Sequence, residues 1–142
     1  MSITRYGSGV PWEETFGYSR MVVAGPHAYV SGCTAVVDGI VHHEGDPFNQ
    51  ALTAFGVAVK VLGEAGFSKE HVVRTRMYVV HPRDMADVGR AHKELFSVVR
   101  PAATMVVVSK LIDAQMLVEV EIDAYRDGPA ADPADGGSGT AR

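Results

Sequence analysis

Carboxylates stand at alternate positions near one end of this 142-residue chain: Glu119, Glu121 and Asp123, interleaved with Val118, Val120, Ile122 and Ala124. Successive side chains of a β-strand point to opposite faces, so the acids share one face and the apolar residues the other. A second segment carries a complementary pattern, with Arg74, Arg76 and Tyr78 on one side and Val73, Thr75, Met77 and Val79 on the other. If both strands lie in one sheet, opposite charges can pair across strands or across subunits. A glutamate on such a face can act as a general base toward water, and burial in a cleft would raise its pKa to suit that work. A site or a subunit interface could use these groups.

Other reactive groups give weaker signals. His42-His43-Glu44 looks like a metal-ligand cluster. Adjacent histidines on a strand point to opposite faces, so they do not chelate together, and no metal or other cofactor is expected. Ser31 has no histidine partner at motif spacing, which argues against a serine nucleophile. Gly7-Ser8-Gly9 lacks the strand before and helix after that a phosphate loop needs. Cys33 is the single cysteine, which rules out an internal disulfide and fits a reducing cytosol. It reads as a small buried residue or as a reactive thiol.

The elements that must position these groups alternate in period. Residues 20–25 and 28–31 read as an antiparallel pair around the turn Gly25-Pro26-His27. Asp38-Gly39 between apolar pairs reads as a hairpin. Asp46-Pro47 opens a helix, with Ala51, Phe55, Ala58, Val59 and Leu62 at helical spacing and Gly63 or Gly66 at its end. A strand over 73–80 is broken by His81-Pro82-Arg83. A second helix over 84–96 presents Met85, Val88, Ala91 or His92, Leu95 and Phe96, and two strands after Pro101 close the domain. The order β-β-(β)-α-β-α-β-β calls for an α+β fold with two helices on one face of a mixed sheet. The other face, with Val106 and Val108 beside its charges, is either solvated or the seat of a symmetric oligomer.

Composition sets the outer limits. Hydrophobic content of 46% and charged content of 21% describe one ordinary globular domain. A net charge of −4 argues against nucleic-acid binding by phosphate attraction. No apolar run is long enough to span a membrane, and the first residues lack the apolar core of a signal peptide, so a cytoplasmic protein is expected. Residues 1–126 read as the domain. Residues 127–142, rich in Gly, Ala, Pro and Asp, read as a disordered tail.

The chain resembles the RidA/YjgF family of reactive-intermediate (enamine/imine) deaminases, whose older label is endoribonuclease L-PSP. The resemblance runs over roughly residues 15–126. It is carried by Pro101-Ala102, Val106, Leu111 and the strand from Glu119 to Glu121. Gly17-Tyr18-Ser19, Ser31-Gly32, residues 50–66 and Arg74-Thr75-Arg76-Met77-Tyr78-Val79 extend it. It implies a chorismate-mutase-like fold and a homotrimer with small-molecule clefts between subunits. It also implies that Glu121 places or activates the attacking water, the other reading of Glu121 being an interface ion pair with Arg74 or Arg76. Tyr18 lines the cleft or is half-buried packing, the strand end from Ser31 through Gly32 to Cys33 faces the substrate, and Thr104 offers a hydroxyl at the cleft floor.

Departures from the family pattern matter as much. The family arginine that grips the substrate carboxylate is Ala103 here, and a methyl group cannot replace a guanidinium fork. Met105 stands where a small polar residue or cysteine is common, and Gly89 where asparagine is common. Arg100 could enter the cleft from another angle or form a surface or interface salt bridge. His92, close to Gly89, is a candidate compensating acid/base or a packing histidine. Two functions follow: a RidA-like hydrolase acting on an enamine, imine or related carbonyl compound without the usual carboxylate clamp, or a non-catalytic small-molecule-binding or chaperone-like trimer.

Overall fold

The computed structural model describes residues 2–127, so the expected tail beyond Asp127 lies outside the described residues. In chain order the elements are β1 (Ile3–Tyr6), α1 (Pro11–Phe16), β2 (Met21–Ala24), β3 (His27–Cys33), β4 (Val36–Val37) and β5 (Ile40–Val41). Then follow α2 (Pro47–Gly63), β6 (Val72–Val79), α3 (Met85–Phe96), β7 (Ala102–Val107) and β8 (Val118–Tyr125). Six strands form one sheet in the order β1-β2-β3-β8-β6-β7. Only β6 and β7 run parallel, and α3 supplies the crossover that a parallel pair requires. The hairpin β4–β5 stands apart as its own ladder, with Asp38 and Gly39 both at positive φ, as a two-residue turn between twisted strands demands.

Local chemistry explains the helices. Asp46 caps α2 by accepting the Asn49 backbone N–H at 3.0 Å, and Pro47 occupies the first turn where no donor is missed. Ala51, Ala54, Phe55, Ala58 and Leu62 are fully buried from α2, and Val88, Ala91 and Phe96 from α3. They cover the face of β8 that carries Val118, Val120, Ile122 and Ala124, all at most 1% exposed. The edges of Phe55 and Phe96 meet at 5.3 Å between ring centres in a T-shaped contact. Two polar groups sit inside this layer. Gln50 donates to the carbonyls of Gln115 and His43 and accepts from the Leu117 N–H, pinning the segment before β8. Thr75, also fully buried, shares a 2.8 Å hydrogen bond with His92.

The structure departs from the sequence expectation in three places. β1 and α1 were not expected; β1 is a short edge strand, and α1 buries none of its residues, so neither carries a hydrophobic period. β3 runs two residues further, to Cys33. The β6 register shifts between Val72 and Arg74, so Val72 joins the core and Val73 stands about half exposed. No helix of the described residues is long and apolar enough to cross a membrane.

Candidate active site on the open face of the sheet

Register on the helix-free face sets β6 against β8 as Arg74 with Asp123, Arg76 with Glu121 and Tyr78 with Glu119. Arg76 lies 3.6 Å from Glu121 and 3.3 Å from Asp123, and the Tyr78 hydroxyl donates to Glu121 at 2.9 Å. Burial, then the bond to Glu121, push the Tyr78 phenol above its ordinary pKa. Glu121 is therefore a held carboxylate.

Glu119 has different surroundings. Its carboxylate packs where a Gly32 side chain would be: a Cβ at Gly32 would fall 2.8 Å from the Glu119 carboxyl carbon, and closer to one oxygen. A side chain there would have to push the Glu119 carboxylate aside. The β3 register against β8 shifts between Val30 and Cys33, and this irregularity brings the Gly32 backbone up to Glu119. Among the described residues Glu119 has no ion-pair partner. Burial, and secondly the charge of Glu121, raise its pKa from the ordinary value, with Arg20 pulling the other way. A carboxylate of raised proton affinity is suited to take a proton and return it.

The remaining expected residues fall into two groups. Gly32 and Cys33 lie close to Glu119, with Ser31 next to Gly32 on β3 and Tyr18 beside Arg20. The Ser31 hydroxyl is spent on the Ser19 carbonyl at 2.6 Å. Cys33 is buried, its thiol donating to the Ser31 carbonyl at 3.3 Å, and burial foremost lifts its pKa. Tyr18 is part-exposed, with the Arg20 guanidinium 5.9 Å from its ring centre. Thr104, in register with Arg76, shares the open face. Ala103 and Met105 pair with Thr75 and Met77, whose side chains are buried on the helix side. Gly89 belongs with them, since a Cβ there would touch the Met105 methyl at 3.8 Å.

His92 does not join Glu119. It bonds Thr75 between the rings of Phe55 and Phe96, and burial lowers its pKa. Within one chain it is a core histidine. Arg100 takes a left-handed backbone just past α3, and its Nε donates to the Ser97 carbonyl at 3.0 Å, which makes it a helix-end cap. The His42 and His43 rings sit 6.2 Å apart, and no group of three or more His, Cys, Asp or Glu among the described residues is placed to hold a metal.

Residues 12–126 match the family model described as Endoribonuclease L-PSP. The chain belongs to that family, the YjgF/RidA proteins. It is 49% identical over 125 residues to an uncharacterized protein of Streptomyces coelicolor, covering 88% of this chain and 93% of that one. A RutC family protein of Pyrococcus horikoshii is 27% identical over 113 residues, 78% of this chain and 87% of the relative. Among solved structures, a Mycobacterium tuberculosis member of the YjgF/YER057c/UK114 family superposes with a TM-score of 0.79 at 38% identity, covering 88% of this chain and all of that one. The α+β fold with helices on one sheet face is thus the YjgF fold.

Sequence reasoning missed Arg20, whose role depends on contacts across three segments. It also left the choice between Glu119 and Glu121 to the resemblance. Gly32 was the available signal, because a glycine inside a strand marks a close approach of another group.

Proposed function

We propose that this YjgF/RidA protein hydrolyses a C=N bond in an enamine- or imine-type intermediate, using a cleft built between the subunits of a cytoplasmic homotrimer. The observation that carries the reading is the Glu119 niche: a shielded, unpaired carboxylate of raised proton affinity, against a glycine, beside a second carboxylate fixed by Tyr78 and Arg76. The general-base role expected at Glu121 sits better at Glu119, because Glu121 is already held by two partners. An enamine first takes a proton on carbon and becomes the iminium. Water then adds to the iminium carbon while Glu119 accepts its proton, giving a carbinolamine. Glu119 returns the proton to nitrogen, ammonia leaves, and the carbonyl forms as the hydroxyl proton passes to solvent, which restores the proton first taken up on carbon.

Support for the intersubunit cleft comes from the division of the family-matched positions. Gly32 stands against Glu119 with Ser31 next to it, while Ala103, Met105 and Gly89 lie on the helix side of the sheet. Within one chain the sheet separates the two groups; a cleft between neighbouring chains would bring them together. Light scattering should return about three times the 15.2 kDa chain mass, and a monomer at micromolar concentration would remove the cleft.

Ala103 sets the substrate preference. Small 2-imino acids should react slowly because no guanidinium holds their carboxylate. Ala103→Arg should raise that rate by roughly one to two decades, the equivalent of about 1.5–3 kcal/mol for a charged hydrogen-bonded contact. The assay is ammonia release from an imine generated in place by an amino-acid oxidase. Rapid turnover by the unmodified chain would refute the preference. Failure of both proteins to accelerate any imine would favour the non-catalytic binding trimer, the reading that Ala103 by itself supports.

A further inference from the structure

Arg20, one residue before β2, is a largely buried cation that the steps above do not use. Its side chain is 13% exposed. Nη1 donates to the Gly32 carbonyl at 2.6 Å and to the Ser31 carbonyl at 3.4 Å, and reaches the Cys33 sulfur at 3.7 Å. Nε lies 3.7 Å from Glu13 of α1, and the guanidinium stands over the Tyr18 ring. Glu13 in turn accepts from the Ser8 backbone N–H and hydroxyl. One planar cation therefore joins residues 8–18 to the end of β3. An ammonium group, a point charge without a fork, cannot make the same set of contacts.

We propose that Arg20 is the positioning residue of the candidate site, fixing the Ser31–Gly32 backbone against the Glu119 carboxylate, holding the Tyr18 ring beside its own guanidinium and tying their placement to Glu13. The inference rests on the reading of Glu119 as the proton carrier. Gly32 makes the connection physical, since its backbone walls the Glu119 niche and its carbonyl is the closest Arg20 contact. Four groups face Glu119: Glu121 on its own strand, Tyr78 opposite on β6, Cys33 on β3 and Arg20. Arg20 is the cation among them, while Arg76 is engaged by Glu121 and Asp123. Burial and Glu121 raise the proton affinity of Glu119, and Arg20 opposes both.

The test is a carbon-13 NMR titration of the Glu119 carboxyl in the full chain, assigned by its loss in Glu119→Gln and read without turnover. Arg20→Met should raise the midpoint by roughly one pH unit and shift the Gly32 and Tyr18 amide signals. Arg20→Lys should hold the midpoint within a few tenths of a pH unit yet lower kcat more than it raises KM, because charge is kept and the fork is lost. Glu13→Gln should also displace the Gly32 amide signal, although residue 13 lies on a different segment. A folded Arg20→Met protein with an unchanged midpoint and unchanged Gly32 amide overturns the proposal. If that variant does not fold, Arg20→Lys with wild-type kcat and an unmoved Gly32 amide overturns it. Absence of turnover in the wild type would refute the hydrolase reading, while the titration would still decide the role of Arg20.

Discussion

The two faces of the sheet are made by the same strands and obey opposite rules. On β8, Val118, Val120 and Ile122 are sealed under two helices, while Glu119, Glu121 and Asp123, one residue out of phase, face away from them. The helix face buries apolar groups, and its polar members are paired off: Thr75 with His92, and Gln50 with three backbone groups. The open face half-buries Glu119 and sets Glu121 near it; burial foremost, then that second charge, raise the pKa of Glu119, which costs stability. Substitutions on the first face should therefore change stability, and those on the second should change chemistry.

The largest expected effect lies under the helices. Phe55 is fully buried and in edge contact with Phe96 and His92. Phe55→Ala should cost about 3–5 kcal/mol in denaturant unfolding, through lost burial and the cavity left behind. A loss below about 1 kcal/mol would mean that the helix face does not carry the stability assigned to it.

Acid should act on the same face. His92 has a lowered native pKa because burial disfavours its charged form. The unfolded chain takes up that proton near pH 6.5 and the native chain does not, so stability should fall as pH drops from about 6.5 toward the lower native value. His71, lowered by burial and then by Arg126, adds to the same slope. His92→Gln should remove only the His92 share and flatten the curve below about pH 6.5. An unchanged slope would place the acid sensitivity elsewhere.

How much of this was legible depends on how local the signal is. The β8 and β6 faces follow from period two alone, and the start of α2 follows from Asp46-Pro47. Val73 was misplaced because a bulge inserts a residue without leaving a mark in the alternation. α1 escaped because Trp12 and Phe16 stack on each other in the open and leave no buried stripe. The choice of Glu119 over Glu121 could not be made along β8, where the two are equivalent by alternation. The proposed choice rests on β3, whose Gly32 stands against Glu119. Arg20 was hidden for the same reason, as its partners lie 7 residues before it and 11 to 13 after it.

The most direct test of the contrast between the faces is Glu119→Gln, measured for both turnover and thermal stability in one preparation. The raised native pKa means the folded chain binds a proton more tightly than the unfolded one. Wild-type stability should thus fall as pH rises from about 4.5 through the native value of Glu119. The amide carries no charge, so at pH 7 the variant should melt at the same temperature as wild type or slightly above it, with the difference vanishing below about pH 4. Imine hydrolysis should drop by roughly two decades or more, because the amide cannot accept a proton from water. A variant that retains turnover, or that loses stability and activity together, would contradict the assignment of chemistry to the open face.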